Sequence, residues 1–485
     1  MKKKVIIIGS GLGGLAVACR LAARGYNVII FEKNNIPGGC CSGFERNGYQ
    51  FSNGPLQFPN PYLLDELFEY IGFDRKDYLT LSHIEPVRRF FNKNGQNFDF
   101  PSNFNDISQQ VEKFDPADLD GLIKFSNTIA FKDKTKEIPL YFHKTLASIQ
   151  DQIQKPFSDT LFKTTEKCFQ NPFLQQIFGF SPLAFGNNPL IILDDYLINQ
   201  SFGDGQKMFS IDGGIHQLTN ILTELFQKFG GQIEYHAEVK EIIFQENQAQ
   251  GVRFKNDQLH FADFIISNMD AYNTFEKLIP INVRKPHTTQ IDSSASLFSI
   301  NIGLRKKLKH PQLLHQNILM PRNLRRFIGQ IFTEKSLSGD FLLFINIPTR
   351  LDSNLAPVNG DILQIHSLVP DSTAEIEWKK ISRSYRNRII RFLERHFSLD
   401  IKTNTRIEFV YTPNDYEEKF AHLNGSPFSA QLSRTQSGNS RLRNKCSPPI
   451  KNLYLVGGGT NPGPGIPGVL ESARITEYLI KKDYE

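Results

Sequence analysis

Apolar positions along this chain fall into two patterns, each predicting a different element. Short unbroken runs, Val5-Ile6-Ile7-Ile8 and Val28-Ile29-Ile30-Phe31, have the length of strands buried on both faces. Residues 261–268, Phe-Ala-Asp-Phe-Ile-Ile-Ser-Asn, and 452–456, Asn-Leu-Tyr-Leu-Val, also read as strands, the former returning to a parallel sheet. A helical period follows Gly213-Gly214-Ile215-His216, where Leu218, Ile221, Leu222, Leu225 and Phe226 share one face until Gly230-Gly231. Residues 232–235, 239–244 and 251–254 read as strands, and residues 43–51 as a hairpin turning at Asn47-Gly48. Residues 60–200 read mainly as helices joined by aromatic connections. Residues 292–440 alternate strands with one long basic helix near 373–397, and a last helix covers 469–480. No internal repeat is visible.

The junction after the first run carries chemistry. Gly9-Ser10-Gly11-Leu12-Gly13-Gly14 separates it from a helix, and Glu32 closes the second run. Gly9 suits a tight turn, Gly11 lets a pyrophosphate approach the backbone, and Gly14 lets the helix pack against the strand. The helix N-terminus points free N–H groups at phosphates. Glu32 lies at the spacing expected of a ribose-binding acid, about 20 residues beyond the glycines. Strand, glycines, helix and acid in this order predict a dinucleotide-binding βαβ unit.

The tail holds a second glycine-rich loop. Residues 457–468 read Gly-Gly-Gly-Thr-Asn-Pro-Gly-Pro-Gly-Ile-Pro-Gly, between a strand and a helix. No strand with a second ribose-binding acid follows before Glu485, so one dinucleotide is served from both ends of the sequence. FAD fits this better than NAD, its adenine end at the start of the chain and its flavin end at the final loop.

Composition narrows the class. The 485 residues suggest two or three domains, and a hydrophobic fraction of 40% supports a large core. The net charge of +6 is mild, and its basic clusters read as solvated faces; no nucleic-acid partner is expected. Lys2, Lys3 and Lys4 precede an apolar stretch, but four glycines and Arg20 interrupt it, which argues against a signal peptide. Five cysteines, with Cys40 and Cys41 adjacent, fit neither a disulfide framework nor a zinc site. They point to a reducing compartment and to small residues packed near a cofactor; no metal is expected. No run reaches the ~18 apolar residues of a membrane span. Yet 41 Phe stand against one Trp. Beyond core packing, that excess suits an apolar tunnel or a patch entering a membrane interface.

These motifs resemble the flavin-dependent carotenoid desaturases of the bacterial phytoene and diapophytoene type, within the amine-oxidase-like flavoproteins. The tail from Leu453 to Leu470 carries most of the likeness. Gly213-Gly214-Ile215, residues 266–271 and Tyr411-Thr412-Pro413-Asn414-Asp415 extend it along nearly the whole chain. The resemblance implies an α/β fold: a Rossmann-like FAD-binding domain of amine-oxidase type with an inserted α+β substrate domain facing the membrane. The FAD domain would comprise 1–75, 205–290 and 440–485, the substrate domain 76–204 and 291–439. It further implies that Gly9, Ser10, Gly11, Leu12, Gly13, Gly14, Glu32, Lys33, Gly38, Gly39 and Cys40 surround the adenosine and pyrophosphate. Val239 would offer its backbone to the adenine, and Gly458, Gly459, Pro467, Gly468 and Val469 would surround the isoalloxazine.

There are departures. Cys40 stands where the family often has a basic residue, and Asn53-Gly54-Pro55 is preceded by Ser52 where an acid is usual. Gly38-Gly39-Cys40-Cys41 resembles retinol saturases, although the tail does not. Glu471 puts a charge near the start of the last helix, to complement its dipole or to touch the flavin site.

The implied reaction holds a saturated C–C pair of a long apolar polyene precursor over the flavin, one carbon losing hydride and its neighbour a proton. Quinone or oxygen would take the electrons. No side chain is nominated as the base: Asp194, Asp195 and Asp204 flank the apolar central segment but read as solvated or capping carboxylates. Desaturation of a C30 or C40 carotene matches the tail best. Oxidation of a terminal methyl group, carotene isomerisation and a non-catalytic carotenoid carrier are the alternatives. The expected location is cytoplasmic, peripherally attached to the inner face of the cell membrane.

Overall fold

The computed structural model describes residues 2–59, 61–129, 159–192, 207–284, 291–433, 441–446 and 450–485. The unbroken apolar runs form the middle of a five-stranded parallel sheet, ordered Gln232–Glu234, Asn27–Phe31, Lys4–Ile8, Phe264–Ser267, Leu453–Leu455. Both faces of the sheet are covered, so successive residues on either side of the pleat are buried and the runs are almost wholly apolar. Val5 and Ile7 face a core built with helices Leu12–Ala23, His216–Lys228 and Ile466–Tyr484. Ile6 and Ile8 face a second core with the antiparallel sheet of Val239–Gln245, Gln248–Phe254 and Leu259–Phe261. Opposite ends of the sequence thus share one sheet, with Phe264–Ser267 between the first strand and the last.

A seven-stranded sheet forms the second unit, ordered Thr405–Tyr411, Ser296–Leu304, Asp361–Val369, Leu343–Asn346, Gln316–Leu319, Arg88–Phe91, Asn97–Phe100. One face packs on the basic helix Trp378–His396. The other packs on helices Phe104–Phe114, Leu119–Ile129, Leu161–Cys168 and Pro172–Phe178 in a phenylalanine-rich core. A separate three-stranded sheet of Phe58–Pro59, Met208–Ile211 and Leu81–Ile84 adds Phe58 and Ile211 to the first core.

Several expectations meet corrections. Residues 60–100 are not mainly helical: Leu81–Ile84, Arg88–Phe91 and Asn97–Phe100 are strands, and their phenylalanines face cores. Phe169, Phe173, Phe178 and Phe180 likewise pack internally. The last helix begins at Ile466, three residues before the predicted start, because Pro467 fits a first helical turn, where no N–H is needed. Glu471 therefore sits in its second turn, buried and paired with Arg474 at 2.8 Å. The hairpin is as expected: Gly43–Arg46 pairs with Tyr49–Ser52, and Asn47 and Gly48 both take positive φ. Asp194, Asp195 and Asp204 lie outside the described residues. Among the described residues no helix is long and apolar enough to cross a membrane.

Candidate functional site

The carboxyl ends of the parallel strands converge, as ligand sites of open α/β sheets do. Gly9 turns the chain at φ +93° and donates its N–H to Phe31 O at 2.8 Å. A Cβ on Gly14 would stand 2.3 Å from Gly9 O, so only glycine brings helix and strand this close. Helix Leu12–Ala23 starts from Gly11 with no side-chain cap, and the N–H groups of Leu12, Gly13 and Gly14 have no helical carbonyl to meet. Such an end attracts a phosphate.

Gly38 and Gly39 close the other side. Gly38 donates to Ser10 O at 2.8 Å and bridges Gly11, and a Cβ on Gly39 would come 3.3 Å from Gly11 Cα. Glu32 is buried; its Oε2 accepts from Ser10 N and Ser10 Oγ at 2.8 and 2.7 Å, and its Oε1 accepts from Asn34 N at 2.8 Å. The carboxylate is thereby fixed beside the glycine turn. Lys33 points elsewhere, its Nζ on Glu418 O at 2.6 Å. Val239 is buried beside Ile8 and Phe31 and pairs with Phe254 at an irregular point of its strand.

Cys40, next after Gly39, turns its thiol to His422, Sγ to Nε2 at 2.8 Å. Burial raises the thiol's pKa and lowers the imidazole's to about 4, so a neutral thiol and a neutral ring share the hydrogen bond. All five cysteines are free thiols. The structure thus gives the residue in place of the usual basic one a hydrogen-bonding role.

The tail loop lies against the first loop. A Cβ on Gly13 would come 3.2 Å from both Gly457 Cα and Val469 Cγ1. Gly458 abuts Pro464, Gly459 abuts Ala271 N, and Gly468 abuts Gly463 O, each too closely for an easy Cβ. Pro467, Gly468 and Val469 form the first turn of the last helix. The predicted residues at the two ends of the sequence therefore meet at one place. Two glycine loops brought to backbone contact beside an open helix N-terminus fit a dinucleotide, because phosphates can reach free N–H groups with no side chain in the way.

Two further residues build the site. Asn268, just past Phe264–Ser267, donates Nδ2 to Val456 O at 3.0 Å, while its Oδ1 lies 2.6 Å from where a Gly11 Cβ would be. It ties the two loops together. Its signal was its place at the carboxyl end of a strand beside the glycine strand. Arg441, 2% exposed, donates Nε to Thr460 O at 2.8 Å and Nη2 to Gly458 O, gripping the tail loop from behind. No local motif marks it.

Residues 12–476 match the flavin containing amine oxidoreductases. The chain belongs to that family. It is 30% identical to a phytoene desaturase (lycopene-forming) of Pseudescherichia vulneris, over 100% of both chains. It is 27% identical to a 4,4'-diaponeurosporene oxygenase of Staphylococcus aureus (strain MSSA476), over 98% of this chain and 97% of that one. Among solved structures, an oxidoreductase from Methanosarcina mazei matches with TM-score 0.66 and 18% identity over 99% and 100% of the two chains. A putrescine oxidase matches with TM-score 0.63 and 13% identity, over 99% of each. The fold is thus the expected Rossmann-like α/β arrangement with a second α+β unit, the chain is a flavin-dependent oxidoreductase, and its cofactor is FAD.

Proposed function

We propose that this oxidoreductase desaturates a long apolar carotene of the phytoene or diapophytoene type. The observation that carries the reading is the meeting of Gly13 with Gly457 and Val469, which joins two glycine loops from opposite ends of the sequence into one cradle. The family relatives named for carotenoid reactions support the substrate class. FAD, when bound, supplies the hydride acceptor, and quinone or oxygen takes the electrons onward.

The chain's own residues have defined tasks. Gly9, Ser10, Gly11, Leu12, Gly13, Gly14, Gly38, Gly39 and Cys40 line the adenosine and pyrophosphate half, with Glu32 at the ribose. Lys33 flanks that half, and Val239 lies toward the adenine. Gly458, Gly459, Pro467, Gly468 and Val469 enclose the flavin half, and Asn268 and Arg441 hold its loop in place. The FAD unit takes in 1–75, 205–290 and 440–485, and the substrate unit 76–204 and 291–439. The protein works at the inner face of the cell membrane, where an apolar polyene dissolves, attached peripherally and without nucleic acid.

Purified protein is expected to be yellow and to bleach in its flavin band on anaerobic addition of phytoene or diapophytoene. A carrier would bind pigment without bleaching. An isomerase would change the carotene spectrum only after prior reduction. Colourless protein that cannot be reconstituted with FAD would defeat the reading.

A further inference from the structure

One place on the inner face of the seven-stranded sheet, opposite the basic helix, is open where its neighbours are closed. On this face Leu297 and Ser299 alternate along one strand, and Gln364, His366 and Leu368 along the next, with Ser299 paired to His366. His366 pairs in turn with Phe344, whose ring lies 5.8 Å from that of Phe180 in the phenylalanine-rich core. Ser299, Gln364, Leu368 and Ile318 are buried, whereas His366, Phe344 and Leu297 are only half-buried. The wall has an opening there, and a histidine stands in it beside aromatic carbon.

Two lines of contact join this place to the cofactor cradle. Gln364, two residues before His366 on the same face, donates Nε2 to Ser52 O at 3.0 Å. Ser52 precedes Asn53-Gly54, and a Cβ on Gly54 would meet Cys40 O at 2.8 Å. The second line runs through helix Pro413–Phe420. Its Tyr416 hydroxyl shares a hydrogen bond with Ser299 Oγ at 2.7 Å, and its ring lies 6.4 Å from that of His422, which holds Cys40. Cys40 follows Gly39, and Gly39 abuts Gly11. His366 thus stands where the aromatic wall meets the loops of the cradle.

The imidazole is oriented from behind. Its Nδ1 shares a hydrogen bond with Ser299 Oγ at 2.7 Å, and Ser299 shares the next with Tyr416, so two hydroxyls in series fix the ring. Its Nε2 has no hydrogen-bond partner among the described residues. His422 differs, because its Nε2 is spent on Cys40. Burial alone lowers the pKa of His366 from 6.5 to about 4, so the ring is neutral at neutral pH and has a lone pair to offer. An imidazole held at one nitrogen and free at the other is the arrangement of a general base.

We propose that His366 Nε2 is the proton acceptor of the desaturation, taking the proton from the carbon next to the one that gives up hydride. This rests on the carotene reaction proposed above. Once hydride has left for the flavin, the polyene carries a positive charge, and the C–H bond on the adjoining carbon is strongly acidic. That bond breaks, its electron pair becomes the second bond of the new C=C, and the proton moves to Nε2. A weak base suffices, because such a cation is a far stronger acid than an imidazolium. In the tautomer this requires, Nδ1–H donates to Ser299 Oγ and Ser299 donates to Tyr416 Oη, which steadies the imidazolium as it forms. The proton returns to water after the product leaves.

The test uses the full chain with its flavin, and phytoene and diapophytoene as probes. His366→Gln keeps a side chain that can bond Ser299 but has no basic nitrogen. Its anaerobic flavin bleaching by either carotene should slow by about 10²–10⁴-fold. Flavin content by absorbance and carotene binding by quenching of protein fluorescence should stay as in the wild type. A second readout needs no turnover. Diethyl pyrocarbonate acylates neutral imidazoles, and mass spectrometry locates the adducts. With the flavin already reduced, either carotene should shield His366 and leave the exposed His83 reactive. Should the variant misfold, the adduct decides: bleaching should fail as His366 of the wild type is acylated and return with hydroxylamine. Wild-type bleaching by folded His366→Gln or by the acylated protein, or an adduct at His366 that forms equally with and without carotene, overturns the proposal alone. A wild type that neither carotene bleaches defeats the desaturase reading itself, and this proposal with it.

Discussion

At the scale of single residues, what separates the readable from the hidden is distance along the chain. Gly9, Gly11, Gly14 and Glu32 act within one βαβ unit, so their spacing carries their meaning. Asn268 acts through Val456, 188 positions away, and nothing in its own neighbourhood states that partner. Cys40 and His422 are likewise joined only by folding. That pair and His366, which shares Ser299 Oγ at 2.7 Å, make a testable statement about pH. Burial lowers both imidazoles from 6.5 to about 4. Between those values the unfolded chain binds protons that the folded one refuses. Stability is therefore complete above pH 6.5 and is lost as pH falls toward 4, by up to about 3 kcal/mol for each histidine. Thermal melts across that window should fall steeply for the wild type and more shallowly for His366→Gln and His422→Gln. Equal slopes would mean that neither imidazole is neutral in the folded protein.

At the scale of elements, the helix after the first strand tests the geometry most sharply. A Gly14→Ala methyl would press on Gly9 O, a backbone atom that cannot turn aside. Overpacking of this kind costs about 1–3 kcal/mol, and here it also widens the phosphate end of the cradle. Flavin content and melting temperature should both drop, whereas Gly329→Ala, with nothing within 4 Å of its added carbon, should leave both nearly unchanged. A Gly14→Ala protein that kept its flavin would show that the turn has slack. Four of the five parallel strands were legible as single apolar runs with a breaker beside them; Gln232–Glu234, an exposed edge, is not such a run. Arg88–Phe91 and Asn97–Phe100 were not legible. Phe90 faces one core and Phe91 the other, so the strand has no alternation to betray it, and a short aromatic run looks the same in a buried helix. Thr412-Pro413-Asn414-Asp415 stood out for its resemblance alone. In the structure it is a capping box, with Thr412 and Asp415 satisfying each other's backbone N–H groups.

At the scale of the whole molecule, the two chain ends are braced together before any ligand arrives. Lys3 lies over the Tyr484 ring at 3.7 Å, and Arg24 pairs with Glu485. Those surface contacts contribute little, since exposed pairs yield about 0–1 kcal/mol. A ligand spanning both loops contributes more: at a hundredfold excess over Kd it stabilises the folded state by about 2.7 kcal/mol. Its footprint is also specific. If one FAD molecule is held from both ends of the sequence, adding FAD to deflavinated protein should slow amide hydrogen exchange in residues 9–14 and 457–468 together, at the same FAD concentration. Residues 88–91 lie in the other sheet and serve as the internal reference, changing only with global stability. Slowing confined to 9–14 would mean that the tail loop serves something else, and the two-ended cradle would be wrong. Slowing of both, with a common midpoint, would identify them as halves of one site, because a single binding event is the only process that titrates both loops identically while leaving the reference strand behind.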